Sequence, residues 1–158
     1  MSAEESGVLT WHESYAALER GITQLVVEAR VMAAMVVRGD GQLLTWAGGL
    51  DEPSSLGALA AGSMAASEAL LASVDAAGRP SVSLDGHAQS FFLQVIDPSA
   101  FLLVMFDRRC SLGLVRLRAR QLVEEARPWL AGLQQQAVVI EELRAEEVDA
   151  LFAACSPP

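Results

Sequence analysis

One segment of this chain, from Ser54 to Val74, has the length of a helix and carries a single ionisable residue, Glu68. A helix on the surface of a monomer normally alternates an apolar stripe with charged residues. On a helical wheel the larger apolar residues of this segment fall on one side and a row of alanines falls on the other. The first side holds Leu56, Leu59, Ser63, Leu70, Leu71 and Val74, and the second holds Ala58, Ala61, Ala65, Ala69 and Ala72.

Both sides of this helix are therefore uncharged, and small side chains let another backbone approach closely. We expect the leucine side to pack on the protein's own core and the alanine side to contact another chain. The alternative is a helix enclosed inside the core of a single chain.

Composition narrows the classes of partner. The chain has 158 residues, of which 52% are hydrophobic, as expected for one domain with a core and an apolar contact surface. Its formal net charge is −9, which argues against nucleic-acid binding because phosphates are neutralised by clustered basic side chains. All 11 basic residues are arginines, so a phosphate-binding loop with lysine and a Schiff-base lysine are excluded.

The polar N-terminal residues and the small number of cysteines indicate a cytoplasmic protein. The first residues, MSAEES, are acidic and polar, and the sequence predicts no run of the roughly 20 apolar residues that a membrane span requires. Cys110 and Cys155 are too few for a small fold held by disulfides, so we expect both thiols to be reduced. We predict a cytoplasmic protein without membrane insertion.

Hydrophobic periodicity predicts three helices and five strands in the order α-β-β-α-β-β-β-α. Asp40-Gly41 and Asp85-Gly86 are predicted turns, Ser54 or Ser55 is the expected cap of the middle helix, and Gly78 is its expected end. The predicted segments are a helix over His12 to Arg30, strands over Val31 to Val37 and Leu43 to Trp46, the middle helix, strands over Ser81 to Leu84, Ser90 to Ile96 and Phe101 to Phe106, and a helix from about Leu112 to Leu133.

The expected organisation is a flexible leader over 1–11, one domain over 12–133, and a linker with a short acidic amphipathic helix over 134–158. Pro128 predicts a kink or an end of the long helix near Ala126. In the tail, Val148, Leu151 and Phe152 recur at helical spacing, so this helix either binds a groove of another protein or folds back on its own domain.

No catalytic or metal-binding constellation is recognisable. His12 and His87 have no ligand-type neighbours at metal-binding spacing. Cys110 follows two arginines but has no predicted base beside it. We therefore expect no cofactor, no metal and no catalytic residues in this chain.

Four segments together resemble the roadblock/dynein light chain family, and in particular its bacterial polarity proteins. They are the hairpin VVRGDGQLLTWAGG, the small-residue helix SLGALAAGSMAASEALL, the segment VMFDRRCSLGLVRLRARQL and the ending EVDALF. The resemblance implies an α+β fold, in which a five-stranded antiparallel sheet is sandwiched by helices and continues across a homodimer.

The resemblance also implies a function. Such a homodimer binds a small Ras-like GTPase (MglA-like) and acts as a GTPase-activating protein by repositioning the switch regions of the GTPase, in cell polarity or gliding motility and at a cell pole. The implied GTPase-binding positions are Ala61 and Ala65, with Leu56, Gly57, Met64 and Glu68 beside them, and Val148, Leu151 and Phe152 are the implied contacts of the C-terminal helix. Arginine at Ala61 or Ala65 is expected to abolish binding and leave the fold intact.

One other mechanism of activation and one other function remain open. Many GTPase activators insert an arginine that stabilises the charge developing on the γ-phosphate, and Arg108, Arg109, Arg116, Arg118 and Arg120 could supply it. The resemblance argues against that mechanism. A non-activating roadblock adaptor, which tethers a GTPase or another roadblock protein, is the alternative to an activator.

Overall fold

The computed structural model describes residues 10–74 and 80–154, except for the side chains of 135–144, 146–149 and 151–154. The elements are α1 (Trp11–Ala29), β1 (Ala33–Arg38), β2 (Leu43–Gly48), α2 (Pro53–Ala72), β3 (Ser81–Asp85), β4 (Gln89–Asp97), β5 (Ala100–Asp107) and α3 (Leu112–Ala154). The predicted order is confirmed. Most of the leader, the expected helix end at Gly78 and Cys155 lie outside the described residues.

The five strands form one antiparallel sheet in the order β2-β1-β5-β4-β3. Successive strand residues point to opposite faces, so each strand contributes to two apolar layers. One layer packs against α1 and α3 and includes Val36, Phe92 and Leu102. The other packs against α2 and includes Met35, Leu93 and Leu103. The sheet is thus sandwiched by helices, as predicted.

The β1–β2 hairpin turns where the sequence predicts it. Gly41 adopts a positive φ of 89°, which is accessible to glycine without steric cost. The Arg38 amide donates to the Gln42 carbonyl at 2.8 Å, and the Gln42 amide donates to Asp40 Oδ1 at 3.0 Å. The Asp-Gly pair therefore sets the register in which β2 returns along β1.

Helix α1 begins one residue before the predicted start because Thr10 and Glu13 form a capping box. The Glu13 amide donates to Thr10 Oγ1 at 3.3 Å, and the Thr10 amide donates to a Glu13 carboxylate oxygen at 2.8 Å. The Thr10 amide, and then the Thr10 hydroxyl that donates to the same carboxylate oxygen at 2.9 Å, lower the pKa of the Glu13 carboxyl. The box satisfies backbone donors that a helix start leaves unpaired.

Helix α2 differs from its prediction in two ways. It starts at Pro53 after Glu52, which makes no side-chain capping bond, because proline is already preorganised for the first helical position. The expectation of no segment long and apolar enough to span a membrane was also wrong. Within residues 10–74 and 80–154, Pro53–Ala72 meets that criterion by length and composition alone.

Helix α3 runs without interruption through Pro128 to Ala154, so the predicted break near Ala126 and the predicted linker over 134–142 were wrong. Buried Ala126 and Leu130 hold the helix on the sheet before and after the proline. Arg127 Nε also donates to the Ile96 carbonyl at 3.3 Å. Because Pro128 itself is exposed, the hydrogen bond that it removes lies where water can replace it.

Helices α1 and α3 lie antiparallel. Arg118 near the start of α3 is 3.0 Å from Glu28 near the end of α1, while Gln134 borders the same groove as Trp11 at the start of α1. The remaining residues of α3 therefore run past the first residue of α1 and beyond the sandwich. The last residues of the described chain therefore continue α3 rather than form a separate helix.

Candidate partner-binding surface

Helix α2 rests on the sheet through small side chains. Its buried residues are Gly57, Ala60, Ala61 and Met64. A Cβ atom on Gly57 would lie 3.3 Å from the carbonyl oxygen of Gly41 and 3.5 Å from Val37 Cγ1. A side chain at this position would press on the Gly41 carbonyl, so glycine favours the close approach of the helix to the sheet.

The predicted orientation of α2 was wrong. Leu59 and Leu70, which were expected to pack on the core, are 73% and 70% exposed. Ala61, which was expected to face outward, is only 9% exposed. The physical reason lies in the sheet surface under α2, where large side chains such as Leu103 and Phe101 already fill the layer and leave room for small residues.

Four of the six predicted GTPase-binding residues border one shallow cleft of about 50 Å³ between α2 and the β4–β5 turn. Ala65 and Glu68 lie at its rim, while Ala61 and Met64 are buried at its base. The other two do not line this cleft. Gly57 is buried against the β1–β2 hairpin, and Leu56 packs partly buried against the sheet layer under α2.

Other apolar residues on the α2 side of the sheet were missed by the sequence reasoning. Leu84 pairs with Phe91 across β3 and β4, and Trp46 pairs with Met35 across β2 and β1. Directly opposed residues share a face, so both lie on the α2 side, where Leu84 is 44% and Trp46 is 49% exposed. The signal that could have found them is the strict alternation of strand residues.

The outward side of α2 and the turn that follows it form an apolar strip, defined here as Leu59, Ala66, Leu70 and Val74. All four residues are exposed. On helical spacing they lie opposite or beside the sheet-facing residues, and Glu68 is the one charged residue of α2. In a chain of net charge −9, such a surface is typical of a protein contact site.

Comparison with solved structures finds proteins with a similar fold. MglB of Myxococcus xanthus is 27% identical over 84% of this chain and 95% of that chain, with a TM-score of 0.71. The chain has the roadblock fold of these proteins. The gliding protein MglB of Thermus thermophilus is 20% identical over 79% and 96% of the two chains, with a TM-score of 0.70.

A Roadblock/LC7 domain of Streptomyces avermitilis shares this roadblock fold, with 20% identity, a TM-score of 0.66, and coverage of 72% of this chain and 97% of that one. No protein-family profile and no curated protein sequence matches the chain. The similarity to MglB supports a role as a roadblock-type regulator.

Four of the five arginines that could be inserted into a GTPase contact other residues of the protein itself. Arg118 is paired with Glu28 on the opposite side of the sheet, and the guanidinium carbon of Arg116 lies 5.9 Å from the centre of the Phe92 ring. Arg108 donates to the His87 carbonyl at 3.1 Å. Arg109 binds both oxygens of the Asp107 carboxylate, and its hydrogen bonds lower the pKa of that carboxyl.

The environment of Cys110 disfavours the thiolate form that a catalytic cysteine needs. Its thiol is buried and donates to the Ala29 carbonyl at 3.0 Å. Burial, followed by the negative charge of Asp107, raises the pKa of the Cys110 thiol, so less thiolate forms near neutral pH. Among the described residues, no group of three or more His, Cys, Asp or Glu is placed to hold a metal ion.

The predicted contacts of the C-terminal helix lie on the last turns of α3. The backbone of Val148, Leu151 and Phe152 is helical, whereas their side chains lie outside the described part of the chain. Because α3 projects beyond the sandwich, the structure does not bring these residues to the α2 cleft of the same protomer.

Proposed function

We propose that this roadblock protein is a homodimeric regulator that binds a small Ras-like GTPase of the MglA type through α2 and accelerates GTP hydrolysis. The observation that carries the proposal is the uncharged, exposed outward side of α2. The similarity to MglB over most of both chains supports it. A role in cell polarity or gliding motility at a cell pole is part of the same proposal.

The second copy would cover the apolar strip and the free edge of β3. Strand β3 is the last strand of the sheet, and an unpaired edge strand is a template for pairing with another chain. Leu84 and Leu70 are exposed on the α2 side, so pairing of two β3 edges would bury apolar surface from both the strand and the helix. The sheet would then continue across the dimer.

The GTPase would contact the cleft beside each α2. Ala65 and Glu68 offer a rim without bulky apolar side chains, and Ala61 and Met64 form its base. Leu56 and Gly57 support this surface from below by setting the distance between α2 and the sheet. The C-terminal residues Val148, Leu151 and Phe152 would reach the GTPase from the projecting end of α3.

Acceleration would not depend on an inserted arginine. Helix α2 has no arginine, and Arg116 and Arg118 lie on α3, across the sheet from α2. A dimer that binds only the hydrolysis-competent arrangement of the switch regions would raise the population of that arrangement. The rate enhancement would then come from the GTPase's own catalytic groups.

Phosphate release by an MglA-type GTPase tests the proposal. We expect faster release with this protein and loss of both binding and acceleration with Ala65→Arg, because a long charged side chain would occupy the cleft rim. Val27→Arg is the matched control, since Val27 is an exposed residue of α1 across the sheet. Binding without acceleration would indicate the adaptor function, and binding unchanged by Ala65→Arg would contradict the assigned surface.

A further inference from the structure

The positive charge of this acidic chain is concentrated at the start of α3 and in the loop before it. Residues 108–123 contain five of the 11 basic residues of the chain and no acidic residue, although the chain as a whole has 20 acidic residues. The five are Arg108, Arg109, Arg116, Arg118 and Arg120. In a protein of net charge −9, this segment differs in sign from the molecule as a whole, so a negatively charged group is drawn to it.

Arg116 and Arg120 are not neutralised by the described residues around them. Both are exposed, and neither forms an ion pair within the described part of the chain. Arg118, which lies between them in sequence, instead pairs with Glu28 of α1. The guanidinium carbon of Arg116 lies 5.9 Å from the centre of the Phe92 ring. A ring face attracts a guanidinium without occupying its N–H donors, so these donors remain available to a carboxylate.

The same two arginines lie on the flank of α3 that borders β4. Phe92, beside Arg116, is a residue of β4. Arg127 follows Arg120 by seven residues and therefore lies on the same side of the helix, and its Nε donates to the carbonyl of Ile96, also in β4. We call Arg116, Arg120 and Arg127 the arginine row. Because Arg127 also forms an ion pair with a neighbouring glutamate, the uncompensated charge of the row lies at the other two positions.

A strip of the sheet beside the arginine row is polar on the same face. Phe92 belongs to the α1–α3 layer, and Ser83 of β3 is its cross-strand partner, so Ser83 points to that face too. No residue of β3, all of which are described, belongs to the buried layer under α1 and α3. Strand alternation adds the neighbours on this face, and we call Ser81, Ser83, Ser90 and Gln94 the polar strip.

The polar strip offers hydrogen-bonding groups and little negative charge. Ser83 Oγ is buried and has no hydrogen-bond partner among the described residues, and an unsatisfied hydroxyl is unfavourable until a polar group pairs with it. The one carboxylate on this face of β3 is Asp85, at the end of the strand. Arg108 lies near that end, because it donates to the carbonyl of His87 in the turn between β3 and β4. The excess charge around the strip is therefore positive.

The arginine row and the polar strip form a step rather than a flat surface. A helix with its side chains is roughly 10 Å across, so α3 stands above β3, which this helical layer does not bury. A protein segment fits along such a step, whereas a membrane surface meets the helix before it reaches the strip. The net charge of −9 also repels polyanions such as DNA and anionic membranes more strongly than a short acidic segment.

We propose that the arginine row and the polar strip bind an acidic segment of a partner protein. Carboxylates of the segment pair with the free guanidinium groups of Arg116 and Arg120, which can each donate two parallel hydrogen bonds. The hydroxyls and the Gln94 amide of the strip bind its backbone. This site lies across the sheet from α2, so one molecule can bind a GTPase and the acidic partner together. The site is present in each protomer, and only its doubling across the β3 edges rests on the proposed dimer.

Fluorescence anisotropy of a labelled peptide of alternating glutamate and serine, titrated with the full-length protein, tests the site. We expect binding that weakens as salt is added, and none to the same peptide with glutamine in place of glutamate. Arg116→Glu and Arg120→Glu should each weaken binding about tenfold or more, because a repulsion replaces a charge-assisted hydrogen bond. Arg120→Lys, which keeps the charge but not the paired donors, should lie between.

Arg20→Glu is the matched control for charge reversal. Arg20 is an exposed arginine of α1 without an ion pair among the described residues, so this variant makes the same change of charge away from the site. We expect it to weaken binding far less than Arg120→Glu. Equal weakening by the two variants would overturn the proposal, because the peptide would then respond only to the net charge of the protein.

Amide chemical shifts in NMR spectra locate the bound peptide. We expect changes at Ser83, at Gln94 and in the first turns of α3. No binding, equal binding of the glutamine peptide, or changes confined to α2 would each overturn the proposal. Tighter binding of phosphatidylserine vesicles or single-stranded DNA, lost in the same variants, would also overturn it, because the surface would then serve a membrane or a nucleic acid. The assay contains no GTPase, so its outcome is independent of the proposed GTPase regulation.

Discussion

The two faces of the sheet differ in how completely they are covered. On one face, α1 and α3 enclose a continuous layer of fully buried side chains such as Leu18, Ile22 and Val123. On the other face a single helix rests on the sheet through small residues and exposes its leucines. Both faces have a buried layer on the sheet, but the single helix on the α2 face leaves large apolar side chains exposed for association.

The largest difference in stability between the two faces should come from shortening one leucine on each of them. Leu102 is fully buried in the α1–α3 layer, so Leu102→Ala should lower the free energy of unfolding by about 2–5 kcal/mol through lost burial and a cavity. Leu70 is 70% exposed on α2, so Leu70→Ala should change the intrinsic stability of the protomer by no more than about 0.5 kcal/mol. Chemical denaturation followed by circular dichroism measures both.

The same experiment separates packing from association. If Leu70 lies in a dimer interface, its loss should lower the unfolding midpoint most at protein concentrations where the weakened dimer dissociates. A loss of several kcal/mol at every concentration would mean instead that α2 is enclosed in the protomer core, and the contrast between the two faces would fail.

A smaller difference in stability is expected between two substitutions on α2 itself. Ala61 faces the sheet and Ala65 faces the cleft rim. Ala61→Arg should destabilise the protein by about 1–3 kcal/mol, because it overpacks the layer and places a charge against apolar side chains. Ala65→Arg should stay within about 0.5 kcal/mol of the parent. Equal effects in thermal unfolding would show that α2 sits in a different rotation on the sheet.

The strands and turns of this fold could be predicted because each has a local signal. The positive φ at Gly41 follows from the Asp-Gly pair, and β4 and β5 are dense in aromatic and β-branched residues. The order of elements, and with it the family resemblance, could be obtained from these signals without knowledge of the packing.

The rotation of α2 could not be predicted in the same way. The helix is apolar on every side, so periodicity alone does not show whether Leu59 or Ala61 meets the sheet. The rotation of α2 depends on the side chains of β1, β4 and β5 that already fill the layer below it. The continuity of α3 through Pro128 has a similar origin, because contacts distant in sequence, such as Arg127 with the Ile96 carbonyl, hold the helix in place.

The smallest expected effect is electrostatic and lies in the loop that joins the sheet to α3. Hydrogen bonds from the Arg109 side chain and then from its amide lower the pKa of the Asp107 carboxyl. A carboxyl whose pKa is lower in the folded state stabilises the fold above its unfolded pKa, and this stabilisation is lost as the pH falls through the folded pKa. Arg109→Gln removes the guanidinium but retains the amide bond, so the pKa of Asp107 should rise only part of the way to its ordinary value.

Carboxyl titration by NMR measures that rise in the pKa of Asp107. Because the Arg109 side chain is 82% exposed, water screens its ion pair, and the stability of Arg109→Gln at neutral pH should change little. A large loss at neutral pH would show that this loop contributes to the α1–α3 layer rather than merely bordering it.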